Sequence, residues 1–416
     1  MNKRILIAGG GRNQLKFIGK AREMGVFAAV VDGDPQAPGL AEADHGEMGD
    51  IRDAAVLEAL GRAWRVDGIF PGAELAVEAV ASASAALGLP GIPPETARRV
   101  RDKAAMRETL KEAGFLIPRF RTARDAAEAV NASRDLGFPL VVKPSDGNAS
   151  KGVQTVSRME DISPAFDRAA HASSGGVVLL EAYMEGQEYC VDGLVHEGEF
   201  HLGGITGKER SELPYRYDLG IFMPPRLPLA HERAIEETVR AALKGLGFNQ
   251  GLVHAEVILE EATSPEIRGP GPPGGCHIVE VAGRPGGGRI PTDLIPLVYG
   301  VDFPADCIRV TLGQPPVSAP RYRRGAALYW LPGAAGIVER LEGCEEARRM
   351  PGVRDLVVGV KPGDQLGPAV DCVGRDRLGY VLTEGETADE AAQRARAARD
   401  QCRIVTRRDA VRFRGG

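Results

Sequence analysis

The sequence predicts a multi-domain chain that is α/β at its start and α+β beyond. Three observations lead there. Strand and helix patterns alternate over residues 1–118. Two apolar strands, each carrying one glutamate, follow in the middle of the chain, and short strands dominate from residue 321. At 416 residues the chain has room for about three domains of ~150 residues each.

Composition narrows the class. Apolar residues make up 43% and charged residues 26%, the balance of a soluble globular protein. A net charge of −5 argues against a dedicated nucleic-acid binder, which carries a basic field. No apolar run approaches the ~20 residues that span a bilayer, so no membrane partner is expected. The opening MNKRILIAGGG passes from a short apolar run straight into glycines, as a first strand does and a signal peptide does not. The six cysteines form no C-x-x-C pair. Neither zinc nor a disulfide framework is expected, and a reducing cytoplasm is the natural setting.

In the first segment, Ile5–Ala8, Ala28–Val31 and Gly68–Phe70 read as buried strands separated by helices, which makes a parallel sheet with crossovers. Asp32 follows the Gly9–Gly11 run at the spacing of a dinucleotide fold. Gly9-x-Gly11-x-x-Gln14 lacks the third glycine of that fingerprint, so Rossmann-like packing without a cofactor is favoured over NAD binding. Glu74, beyond the third strand, sits where carboxyl ends open into a crevice; it faces a ligand there or is a solvated residue at a helix start. Asp102 is positioned to cap a helix closed by Gly114. Lys103 at that helix start hints at a phosphate nearby.

The stretch GFPLVVKPSDGNASKGVQTV, residues 137–156, places Lys143 at the end of a buried strand. A loop of small residues follows, Asp146 to Gly152, before a second short strand. Such a loop lets backbone N–H groups converge on an anion, and a lysine adds a point charge for phosphate oxygens. It is not a Walker A sequence, and by itself it also fits an ordinary hairpin. Next, Val177–Leu180 leads through Glu181, Ala182, Tyr183 and Met184 to Glu188. The backbone of that connection can meet a purine edge, and Glu188 can accept from two ribose hydroxyls; a plain surface linker is the alternative.

Period-2 alternation in His254–Leu259 puts His254 and Glu256 on one face, and Ile278–Ala282 carries Glu280 in the same way. The intervening 263–275, rich in Pro and Gly, reads as a mobile loop, so the two strands form a hairpin on which Glu256 and Glu280 can converge; solvated glutamates are the alternative for either one alone. Paired carboxylates with phosphate oxygens and water make an octahedral Mg2+ site. Arg284 is spaced to reach the same phosphate. No chemistry is apparent after residue 321.

With these residues in hand, the chain resembles the ATP-grasp superfamily over nearly its whole length. The E-x-x-x-R-x-x-G run from Glu280, the H-x-E strand at His254, Gly379-Tyr380-Val381, the opening GGGRNQ and Lys208–Pro225 look like its branch of L-amino-acid ligases and related carboxylate–amine ligases. The resemblance implies a Rossmann-like N-terminal domain (1–118), a lid subdomain (119–188), a catalytic core with a central antiparallel sheet (189–320) and a β-rich C-terminal closing domain (321–416). It implies that Lys103 and Lys143 contact ATP phosphates. Gly147, Asn148, Ala149, Ser150, Lys151 and Gly152 would form the covering loop. Glu181, Ala182 and Met184 would line the adenine pocket, and Glu188 would hold the ribose. Glu256 and Glu280 would bind Mg2+, two ions by analogy, with Mn2+ as a substitute. The usual asparagine two residues after the second acid is Ala282 here. Arg284 would stabilise the phosphoryl group and the oxyanion, with His254, Glu74, Lys208 and Arg289 as substrate contacts. The implied reaction joins a small carboxylate to an amine through an acyl phosphate, in a cytoplasmic enzyme whose architecture is commonly dimeric. Activation of bicarbonate or formate on the same fold is the enzyme alternative, and a nucleotide-binding regulator the non-enzymatic one.

Overall fold

The computed structural model describes residues 2–260 and 275–407, so the loop expected at 263–275 lies, apart from Gly275, outside the described residues. The chain divides into two units. The first comprises Met1–Pro118, Met184–Thr206 and Leu227–Arg323; the second comprises Arg119–Tyr183, Gly207–Arg226 and Arg324–Gly416.

The first unit opens with the expected parallel sheet, ordered His45–Met48, Phe27–Asp32, Arg4–Ala8, Gly68–Pro71. Ile5 to Ala8 and Ala28 to Val31 are buried throughout, as strands covered on both faces must be. His45–Met48, exposed at all four residues, has no apolar run and left no signal in the sequence. The glycine turn after the first strand is filled by the protein itself. Asp32 accepts from the Gly10 N–H at 2.6 Å with one oxygen and from the Asp34 N–H at 2.8 Å with the other. A methyl group on Gly39 would fall 2.7 Å from the Gly10 Cα, so a short helix lies directly on the turn. The acid that a dinucleotide ribose would need is therefore engaged in holding the turn.

Helices start where their caps predict. Asp53 accepts from the N–H groups of Ala55 and Val56 at the head of Ala54–Trp64, and Asp102 caps Lys103–Glu112 in the same manner. Three antiparallel strands follow in the order Cys276–Ala282, Gly251–Leu259, Gln187–His196. Alternation sends Val253, Ala255 and Val257 to one face, where they bury against Val191, Ile278 and the apolar stripe Ile235, Val239, Ala242 and Leu246 of the helix Leu229–Leu246. The opposite face is left to the polar residues of the same strands.

In the second unit, Phe120–Ala123, Val178–Ala182, Leu140–Pro144 and Gln154–Val156 form an antiparallel sheet. The helices Ala126–Leu136 and Ile162–Ala172 share its core through Ala129, Leu136, Ile162 and Phe166. The chain's last third adds Gly325–Trp330, Gly379–Gly385 and Val353–Val358, paired in that order beyond Asp218–Met223. The helix Ala388–Gln401, capped by Thr387, buries Ala388, Ala391, Ala392, Ala395 and Ala398, a face of helical spacing that needs no bulky residue.

The cysteine reading requires a correction. Cys344 and Cys402 form a disulfide, although 58 residues separate them. Each stands at the end of an element that the fold brings beside the other, which spacing along the chain cannot reveal. Reduction is expected to lower stability by about 2–4 kcal/mol, because the open chain regains loop entropy on unfolding; calorimetry with and without a thiol reductant checks this. Among the described residues, no helix is long and apolar enough to cross a membrane.

Candidate functional site

The first unit holds Glu74, Lys103, Met184, Glu188, His254, Glu256, Glu280, Arg284 and Arg289. Its antiparallel register sets Glu256 directly opposite Glu280, and both side chains are half-buried. Like charges paired across strands repel, so the pairing favours a cation. Lys103 Nζ lies 3.2 Å from Glu280 Oε1 although 177 residues separate them. Arg284 Nε donates to the Glu74 carboxylate. Glu74 is only 7% exposed, which excludes the solvated alternative. Burial opposes its charge, but Arg284 and Lys103 outweigh that and hold the Glu74 carboxyl below its ordinary range. Burial likewise opposes the charge of Arg284, and Glu74, Glu280 and Asp192 raise its pKa. Glu188 is buried on the strand beside Gly251–Leu259, opposite Ile258.

Asp192 and Cys190 escaped the sequence reading. Cys190 faces Glu256 in the register and Asp192 faces His254. Asp192, 1% exposed, accepts from the Gly286 N–H at 2.8 Å and lies 3.2 Å from His254 Nδ1. Burial works against an imidazolium at His254, but the Asp192 carboxylate prevails and raises its pKa well above the usual value. A second acid, four residues after Glu188 on the same largely buried strand, was the available signal. Asp192 thereby ties the glycine run after Arg284 to the H-x-E strand. A Cβ at Gly286 would fall 2.3 Å from Asp192 Oδ1 and 2.7 Å from His254 Nδ1. Gly286→Ala is accordingly expected to lower kcat/KM at least about tenfold, some 1.4 kcal/mol of transition-state stabilisation, while circular dichroism stays native. Arg289 is bound to Asp293 at 3.1 Å, an acid also held by Lys16 and Thr292.

The second unit holds Lys143, residues 147–152, Glu181, Ala182 and Lys208. Lys143 and Glu181 lie diagonally on neighbouring strands and form an ion pair of 2.6 Å, with both side chains under a tenth exposed. The loop has the backbone that its small residues were expected to allow. Ala149, Ser150 and Gly152 take φ of 53°, 57° and 74°, and a left-handed conformation is uncommon for alanine and serine. The final third of the chain also reaches this loop, a contact that no residue pattern signalled. The Cys372 N–H donates to Ala149 O at 3.2 Å, and Cys372 Sγ lies 3.7 Å from Ser150 Oγ. Behind it, Arg375 stacks 3.5 Å over the Trp330 ring and donates to Asp218 O. Lys208 is 5% exposed on its strand, opposite Ile221.

Comparison with known proteins fits this equipment. Residues 136–292 match the ATP-grasp domain, and residues 328–407 match the L-amino acid ligase C-terminal domain 2. A D-alanine–D-alanine ligase of Anaeromyxobacter is 32% identical over 51% of this chain and 66% of its own length. The crystal structure of an L-amino acid ligase from Bacillus licheniformis superposes with a TM-score of 0.81 over 98% of this chain and 99% of that one, at 21% identity. A phosphoribosylglycinamide synthetase from Anaerococcus prevotii gives 0.73 over 98% and 100%, at 19% identity. Likenesses at such identities are likenesses of fold, and the fold is ATP-grasp. Residues 136–292 of this chain are an ATP-grasp domain. The protein is an ATP-dependent enzyme of the ligase and carboxylase class.

Proposed function

We propose that the protein is a carboxylate–amine ligase that couples an amino-acid carboxylate to an amine through an acyl phosphate, releasing ADP and phosphate. The observation that carries the reading is the register that sets Glu256 against Glu280, with Lys103 beside Glu280. The match of residues 328–407 to an L-amino acid ligase domain and the likeness to the Bacillus licheniformis structure support the amino-acid branch.

The donor chemistry suits a hard divalent ion. Glu256 and Glu280 would hold one or two Mg2+, with Mn2+ as a substitute, and Ala282 cannot supply the amide oxygen that often completes such a site. When bound, the ion neutralises phosphate charge during phosphoryl transfer. Lys143, Lys103 and the backbone of 147–152 bind the triphosphate, the loop shielding it from water. Glu181, Ala182 and Met184 take the base and Glu188 the ribose. Arg284, held in place by Glu74, stabilises the oxyanion formed when the amine attacks the acyl carbon. His254, Lys208 and Arg289 serve the substrates. In this reading the four segments 1–118, 119–188, 189–320 and 321–416 act as separate domains, in the cytoplasm.

A second reading is activation of bicarbonate or formate, as in purine-pathway enzymes. It is favoured by the likeness to a formate-dependent phosphoribosylglycinamide formyltransferase of Erythrobacter litoralis, 26% identical over 62% of this chain and 67% of that one. Phosphate release over paired amino acids, with mass detection of the ligated product, is expected to reveal a peptide or amide. Release only with bicarbonate and aminoimidazole ribotide selects the second reading. Mg-ATP is expected to raise the melting temperature and NADH to leave it unchanged.

A further inference from the structure

We propose that Cys190, His254 and Glu256 form a binding site for a borderline transition-metal ion of the Zn2+ type, and that its occupation blocks the enzyme by withdrawing Glu256 from Mg2+. Cys190 Sγ, a ring nitrogen of His254 and a carboxylate oxygen of Glu256 all lie within 4.8 Å of one another. The register explains why. Glu256 faces Cys190 across the strand pair, and His254 lies two residues away on the same face. His254 Nε2 and Glu256 Oε1 are 3.9 Å apart, less than the sum of two metal–ligand bonds of about 2.1 Å. With every separation inside 4.8 Å, the cluster exceeds a tetrahedral edge for bonds of ~2.0–2.3 Å by at most about 1.5 Å, a distance that side-chain torsions cover.

The surroundings of His254 supply a second, independent observation. Its Nδ1 is turned to the buried carboxylate of Asp192, 3.2 Å from both oxygens, and Asp192 is itself fixed by the Gly286 N–H. Carboxylate–histidine–metal relays have this form: the outer acid fixes the tautomer and leaves Nε2 to the ion. A thiolate, an imidazole and one carboxylate select Zn2+ or Co2+ over Mg2+, since a hard ion gains little from sulfur. Binding displaces to solvent the thiol proton of Cys190 and any proton carried on His254 Nε2. The site itself stands on geometry alone. The inhibitory consequence rests on the proposed role of Glu256 in Mg2+ binding.

The probe is Co2+ added to the full-length protein. A thiolate-to-cobalt charge-transfer band of one-to-one stoichiometry is expected, lost in Cys190→Ser and displaced by Zn2+. X-ray absorption on the wild-type protein loaded with Zn2+ is expected to show one sulfur at about 2.3 Å and so decides the matter should the variant not fold. Absence of the band, or its persistence in Cys190→Ser, overturns the site. In the Mg-ATP assay, the Zn2+ concentration for half-inhibition is expected to rise at least tenfold in Cys190→Ser. An equal sensitivity overturns the inhibitory link. If no substrate supports turnover, the functional reading fails, while the spectroscopic result still decides the metal site.

Discussion

Glu280→Gln is expected to reduce ADP production by roughly a hundredfold or more, the effect of losing about 3 kcal/mol of transition-state charge stabilisation, while leaving the fold intact. Glu280 is half-buried and stands opposite Glu256. In the metal-free protein the neutral amide relieves that repulsion, worth some 0.2–1 kcal/mol for a cross-strand pair. The same amide still offers an acceptor to Lys103. Against that relief stands the loss of carboxylate charge beside the buried Lys103, so the melting temperature without nucleotide should fall modestly while activity falls about a hundredfold. A residue kept for stability would instead show lower melting with turnover preserved. A coupled ADP assay beside calorimetry separates the two, and wild-type turnover in the variant would refute the acid-pair reading.

Arg284→Ala is expected to cost both activity and stability, and the two losses can be separated. Removing the guanidinium leaves Glu74, 7% exposed, without its main counter-charge. Breaking a buried pair in this way costs about 3–5 kcal/mol, because a charge is left desolvated. Glu74→Gln in the same chain should restore most of that stability without restoring turnover. The pH dependence follows with a definite sign. The Glu74 pKa is lowered in the folded protein, so its contribution is complete above the unfolded value of about 4.3 and is lost as pH falls through the lower folded value. Wild-type protein should therefore lose stability on acidification more steeply than Glu74→Gln, as denaturant midpoints between neutral and strongly acidic pH would record. Equal slopes would show that Glu74 is not held ionised by Arg284.

The strands that bury one or both faces were legible from pattern alone. Ile5–Ala8, Leu140–Val142 and the H-x-E strand announce themselves by apolar runs or alternation, and Asp102 announces the helix it caps. His45–Met48 did not, because an exposed edge strand has no apolar requirement. The disulfide, the hydrogen bond from Cys372 to the Ala149 carbonyl, and the pairing of Cys190 with Glu256 were equally silent. Each joins residues far apart in the chain, and nothing in the local spacing of either partner marks the other.

The chain's residue order alone determined the class of fold, the hairpin that carries two glutamates, and the face of each strand on which a charged group stands, because side-chain alternation and capping are local properties. Only the tertiary structure decided which charges meet. Lys103 with Glu280, Arg284 with Glu74 and Asp192 with His254 are partners across 62 to 210 residues. Burial made those choices, since a charge removed from water is retained only where the fold brings it a counter-charge or a hydrogen bond.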